Sequence, residues 1–221
     1  MKKKSVLMAA IAVMLVAVLV VGGTLAYFTD TKSATNTFTV GDVKIKLDES
    51  NVNDPNGDRV TSNEYTGVLP GIQYKKDPVV TNTGKNDAYV RAVVTIENGM
   101  NWMGLYNENV WTAPQAEAFK KLICNKMGEG WSLEDYNYVT NAERGSTDFV
   151  AVLKYDGVLA AGKATTAMFE NIMLPTNATA SDITTRVAQN GVFHIDVVAQ
   201  AIQADGFTSW NDAFKAFDAQ K

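Results

Sequence analysis

The sequence predicts an all-β protein, an antiparallel β-sandwich with short helices in its connections. Three observations carry this. Seven to nine short segments alternate apolar and polar residues with period two, and Gly, Pro, Asn and Asp clusters divide them. Helical spacing is confined to a few stretches, and no repeat or low-complexity tract suggests a solenoid.

In chain order, residues 29–35 are small and polar, with no apolar side chain to hold them in a core. Phe38, Val40, Val43, Ile45 and Leu47 alternate with polar residues around Gly41-Asp42, as half-buried strands broken by a turn do. Residues 51–63 read as a polar loop around Asp54-Pro55-Asn56-Gly57. Leu69-Pro70-Gly71 turns the chain into a strand at 72–76, and another begins at Asp77 and ends at Asn82-Thr83-Gly84. Residues 88–97 alternate most strongly, with Tyr89, Arg91, Val93 and Thr95 on one face and Val90, Ala92, Val94 and Ile96 on the other.

The middle changes character. Pro114 opens a helical pattern in which Ala116, Phe119, Leu122, Ile123 and Met127 share a face, and Gly128 is expected to stop it. With Trp102, Trp111 and Trp131, this reads as a partly helical insertion at about residues 101–144, packed onto the side of a sheet. Strands are predicted to resume at 148–155 and 165–174, divided by Asp156-Gly157, with a short helix at 181–189 and a last long strand at 192–204. Phe193, Ile195, Val197, Ala199 and Ala201 form the more apolar face of that strand. Trp210, Ala213, Phe214 and Phe217 then recur at helical spacing, with Ser209 and Asp212 placed as a capping box.

The N-terminus addresses the chain. Lys2, Lys3 and Lys4 precede an unbroken apolar run from Val6 to Val21, followed by Gly22-Gly23 and Thr24-Leu25-Ala26. This is the pattern of a signal peptide, 1–26, with Thr24 and Ala26 in the small-residue positions and cleavage before Tyr27. The alternative is a retained anchor, since residues 6–28 could nearly cross a hydrocarbon core of about 30 Å. Either reading puts residues 27–221 outside the cytoplasm.

Gly22-Gly23-Thr24-Leu25-Ala26-Tyr27-Phe28-Thr29-Asp30, followed by Asn36-Thr37-Phe38-Thr39-Val40-Gly41, resembles the processing region of the TasA/camelysin family of Gram-positive exported proteins. Leu69-Pro70-Gly71, Lys76-Asp77, Asn82-Thr83-Gly84 and the strand that follows keep the family's order of turns and strands, and residues 197–207 resemble its closing strand. The resemblance implies a jelly-roll-like core flanked by helices and loops, a dedicated alternative signal peptidase as partner during export, and assembly into biofilm-matrix or surface fibres.

Composition excludes some function classes. Loss of 26 residues and three lysines from a 221-residue chain of net charge −4 leaves 195 residues at −7. An acidic chain without a basic aromatic patch is not built to hold nucleic acid or an anionic membrane by charge. Contact with a membrane is expected only through the uncleaved signal segment. Cys124 is the single cysteine, so no intramolecular disulfide forms.

Catalytic motifs are sparse. His194 is the single histidine, so the two-histidine helix of a zinc peptidase cannot be assembled, although camelysin relatives are catalogued as metallopeptidases. A nucleophilic pair would need Cys124 with His194, and Cys124 falls in a helical pattern beside Leu122 and Ile123, as an inert, partly buried thiol does. Asp54, Asn56 and Asp58 have the alternating oxygens of a calcium loop, but Arg59 stands where its glycine belongs; a polar Asn-Gly turn explains the same residues. Leu174-Pro175-Thr176-Asn177 reads as a strand-ending turn. No enzyme activity and no cofactor are therefore expected.

Two functions from different classes follow. One is a secreted fibre subunit that donates an N-terminal strand, with Phe38, Val40, Val43 and Ile45 as the donor side chains. The other is a camelysin-like cell-surface metalloendopeptidase, which the single histidine disfavours.

Overall fold

A computed structural model of the chain describes residues 29–32, 43–106, 115–182 and 194–220. The strands are β1 (Thr29–Lys32), β2 (Ile45–Asp48), β3 (Gln73–Lys75), β4 (Val79–Asn82), β5 (Ala88–Ile96), β6 (Trp131–Asn141), β7 (Ser146–Tyr155), β8 (Asn171–Met173) and β9 (Ile195–Gln203). All their pairings are antiparallel. Five form one sheet in the order β1-β9-β5-β7-β6, while β2-β4 and β3-β8 form two short ribbons. Helices α1 (Gly99–Tyr106), α2 (Gln115–Leu122), α3 (Ala180–Asp182) and α4 (Trp210–Asp218) lie in the connections and near the end of the chain. The all-β reading is borne out.

The period-two pattern of β5 sorts its two faces as the sequence predicts. Ala88, Val90, Ala92, Val94 and Ile96 are fully buried in the main core with Val43, Ile45 and Val80 of the β2-β4 side, Phe149, Ala151 and Leu153 of β7, and Ala199 and Ala201 of β9. Small and large side chains alternate across the strands, Ala92 beside Leu153 and Val94 beside Ala151. Trp102 of α1 and Phe119 and Leu122 of α2 close the same core, with the Phe119 ring 5.8 Å from that of Phe149.

The other face of β5 carries a second, smaller core. Ile202, Trp210, Ala213, Phe214 and Phe217 bury one another there, with Tyr89 and Phe207 packed against them. Helix α4 is the amphipathic helix expected from the spacing of its aromatic residues. Its N-cap is Ser209, whose Oγ accepts from the Asp212 N–H at 3.1 Å. The Asp212 carboxylate accepts in return from the hydroxyls of Thr208 and Ser209. Arg91 on the same face of β5 clasps the helix. Its guanidinium lies 4.4 Å over the Phe214 ring and donates to both carboxylate oxygens of Asp218, at 2.8 and 2.5 Å.

Three expectations are corrected. Residues 131–141, read as part of an insertion beside the sheet, are an edge strand of it, Trp131 standing opposite Tyr155 and Asn141 opposite Ser146. Their alternation was hidden because a bulge between Leu133 and Asp135 shifts the pattern by one residue. Helix α2 ends at Leu122, before Gly128, because Cys124 (φ +57°) and Asn125 (φ +56°) take the left-handed conformation, with Asn125 N–H donating to Lys120 O at 2.7 Å. The strand expected over 165–174 is regular only at Asn171–Met173, preceded by single bridges of Ala164 to Thr81 and Phe169 to Met127. Trp111 and most of the helix expected at 181–189 lie outside the described residues.

Candidate functional site

The first site is the β1 edge. Thr29, Asp30, Thr31 and Lys32 stand opposite Ile202, Ala201, Gln200 and Ala199 of β9. On its other side β9 is paired with β5 along nine positions, from Ala88 opposite Gln203 to Ile96 opposite Ile195. Nothing in the side chains of residues 29–32 marks them as a strand. A strand ladder uses backbone N–H and C=O groups, so four residues with no apolar side chain can still pair.

β9 presents a well-supported edge to β1. Ala199 and Ala201 are fully buried on the core side. Ile202 is fully buried beneath α4 on the other side, and the Gln200 side-chain oxygen accepts from Arg91 Nε at 2.6 Å. Trp210 Nε1 of α4 donates to Val90 O at 2.9 Å, tying the helix to the neighbouring strand β5.

The sequence-predicted residues divide around this edge. Val43 and Ile45 are fully buried in the main core, and Ile45 sits opposite Asn82 in the β2-β4 ribbon. In the single chain they are part of its own core. Phe38 and Val40, and the processing residues Thr24, Ala26 and Tyr27, lie outside the described residues.

The second site is the loop after β2. Asp54 and Asp58 are exposed, and the Gly57 N–H donates to Asp54 O at 2.9 Å, closing a turn around Asn56. A dense polar constellation joins that loop to the ends of β2 and β3, and no sequence motif marks it. Arg59 reaches in from the loop, donating from Nε to Asp48 Oδ1 at 2.6 Å and from Nη2 to Asp48 O at 3.1 Å and Asp77 O at 2.7 Å. Its Nη1 donates to Ser50 Oγ and Asp77 Oδ2, both at 3.3 Å. Asp48, Glu49, Lys76 and Asp77 are buried, and Lys76 Nζ pairs with Glu49 at 3.1 Å.

Burial pushes the Asp77 carboxyl up, but the Ser50 N–H and hydroxyl and the charges of Arg59 and Lys75 outweigh it, holding the group below the usual carboxylate range. Tyr65 is pushed above its ordinary value by burial and then by the negative charges of Glu49 and Asp77. The adjacent acids Asp48-Glu49 and the run Lys75-Lys76-Asp77, each at a strand end, were the available sequence signal for this knot.

The third site gathers the single histidine. His194, 59% exposed, places Nδ1 2.6 Å from Glu97 Oε2, and Arg144 Nη1 lies 3.1 Å from the other Glu97 oxygen. The same guanidinium bonds Asp148 through Nη2. Asp148 also accepts from the Ser146 hydroxyl and the Asn98 N–H, each at 3.0 Å. Among the described residues, no three His, Cys, Asp or Glu side chains form a metal-holding group. Cys124 is half-buried, and burial raises its thiol above the ordinary value.

Residues 1–87 match the family model described as Camelysin metallo-endopeptidase. The N-terminal part of this chain is thus similar to the camelysin family over those residues. The matched stretch contains β1, β2, the Arg59 loop, β3 and β4, so the camelysin-like region holds both the sheet-edge strand and the buried charge knot. It ends before Glu97, Asp148 and His194. No curated protein and no solved structure matches the chain.

Proposed function

We propose that this chain is an exported structural subunit, assembling into surface or biofilm-matrix fibres by passing its N-terminal strand to the next copy. The observation that carries the reading is the position of β1. The strand that follows the expected cleavage site lies at a sheet edge and is held through the backbone of one neighbour, β9. Cleavage after Ala26 would leave that strand at a new chain end, free to leave its own β9 and occupy another. The resulting contact is head-to-tail and does not close, which is the geometry of a filament.

The donor in this reading is residues 27–32, with 33–42 as the reach between copies. Val43 and Ile45 anchor the end of that reach, because withdrawing two fully buried side chains would open the core. Export implies a signal peptidase as the processing partner, a secreted or cell-surface location, and contact with the membrane only while the signal segment is uncleaved. Other matrix proteins are further partners of such a fibre, and the acidic mature chain offers nothing for nucleic acid.

The family's description favours a second reading, a metallo-endopeptidase. Among the described residues, the donors around the single histidine do not fit the metal. Glu97 is shared by His194 and Arg144, and Asp148 is bonded by Arg144, Ser146 and Asn98. A guanidinium already supplies the positive charge between the two carboxylates, and a zinc site needs three neutral or anionic donors converging on one point.

Negative-stain microscopy of the secreted chain and of one beginning at Gly41 tests the structural reading. Fibres are expected from the first and single particles from the second. Equal fibre formation would discard strand donation.

A further inference from the structure

The opposite edge of the five-stranded sheet is built differently. Strand β6 runs for eleven residues and, among the described residues, pairs with β7 alone. Exposed strands of this length are templates for another chain, and proteins protect them with bulges, charges or a cover. β6 has the first two at its beginning, in the bulge between Leu133 and Asp135 and the acidic side chains of Glu134 and Asp135. From Tyr136 to Asn141 it reads Tyr-Asn-Tyr-Val-Thr-Asn, with no charge, glycine or proline, and with Tyr136 and Val139 exposed. That composition alone would be adhesive.

The backbone shows what protects it. Tyr136 N–H donates to Asp135 Oδ1, and Tyr138 N–H donates to Asn137 Oδ1, both at 2.8 Å. Residues two apart in a strand direct their N–H groups to the same side. Both groups are spent on side chains rather than on β7, so that side is the outer edge. Each of these outward donors is thus capped by the side chain of the residue before it.

We infer that β6 is a pairing edge for a second copy of this chain, held shut by Asp135 and Asn137. Antiparallel pairing of two β6 strands about Tyr138 sets Tyr136 opposite Thr140 and Asn137 opposite Val139. It places Asp135 opposite Asn141 and Glu134 opposite Ala142, so no like charges meet. The caps keep two copies from pairing through this edge. This inference rests on the β6 geometry and does not require N-terminal strand donation.

The test uses the secreted protein as recovered from culture, in wild-type, Asp135→Ala/Asn137→Ala and Asp135→Asn forms, followed by sedimentation and residue-resolved amide exchange. The double variant should associate at concentrations where the wild type does not, about doubling the mass of the smallest species. Amide exchange at 136–140 should slow in that associated species. Asp135→Asn keeps the accepting oxygen and should behave as wild type. A double variant with wild-type mass and exchange overturns the inference, and so does an Asp135→Asn protein that associates as readily as the double variant. Exchange at 136–140 reads this edge, whereas exchange at 29–32 and 199–202 reads N-terminal strand transfer, so failure of one is distinguishable from failure of the other.

Discussion

Arg59→Ala removes the side chain that joins the loop after β2 to the ends of β2 and β4. The wild-type guanidinium donates to two carboxylates, two backbone carbonyls and the Ser50 hydroxyl. Breaking a buried ion pair costs about 3–5 kcal/mol, because the remaining charge is left uncompensated. Here the cost is lower. Arg59 is 35% exposed, Asp48 keeps Lys46 at 2.8 Å, and Asp77 keeps the Ser50 N–H and hydroxyl at 2.7 and 2.8 Å. A loss of about 2 kcal/mol follows, or about 4–8 °C in Tm for a domain of this size.

Arg59→Lys should recover less than half of that loss, since one ammonium cannot span both carboxylates and both carbonyls. The pH dependence fixes the sign. Asp77 is held below its unfolded value, so its stabilisation is fully present above about pH 4 and is lost as the pH falls through the folded-state value. Urea unfolding at pH 7 and pH 3 should therefore show a gap between wild type and Arg59→Ala that narrows in acid. A gap under about 0.5 kcal/mol at pH 7, or one that widens at pH 3, would refute the assignment of Arg59 as the clamp.

Two further outcomes follow from the processing and catalytic readings. Intact-mass analysis of culture supernatant should give a chain beginning Tyr27-Phe28-Thr29-Asp30, whereas recovery of only the full-length chain from membranes would make residues 6–28 an anchor. Casein hydrolysis by the purified protein should be absent or indifferent to both a chelator and His194→Ala. Complete loss of a chelator-sensitive activity in a folded His194→Ala protein would restore the peptidase reading.

The sequence made the sheet's centre legible and its edges obscure, for a physical reason. β5 and β9 bury one face in the main core while the other is covered only in part by α4, so apolar residues recur on the core face with period two. The α4 helix was legible too, because its buried aromatics fall on one stripe. β1 and β6 are edge strands whose pairing is carried by the backbone. In β1 no apolar residue marks the pairing, and in β6 the bulge breaks the period. The charge knot escaped for a different reason, since Arg59, Asp48 and Asp77 are brought together by the path of a loop that periodicity does not describe. The family resemblance in the sequence runs from the processing region to about residue 207, whereas the family match covers residues 1–87.

Acceptance of an N-terminal strand in trans by the β9 edge is read by adding a synthetic peptide of residues 27–42 to the chain that begins at Gly41 and measuring amide exchange along β9. The truncated chain should exchange rapidly at the β9 amides that face the empty edge, among residues 199–202, and saturating peptide should slow exchange there while leaving β6 unchanged. Peptide binding that leaves those β9 amides at the rate of the truncated chain, or no binding at all to a folded truncated chain, would contradict it.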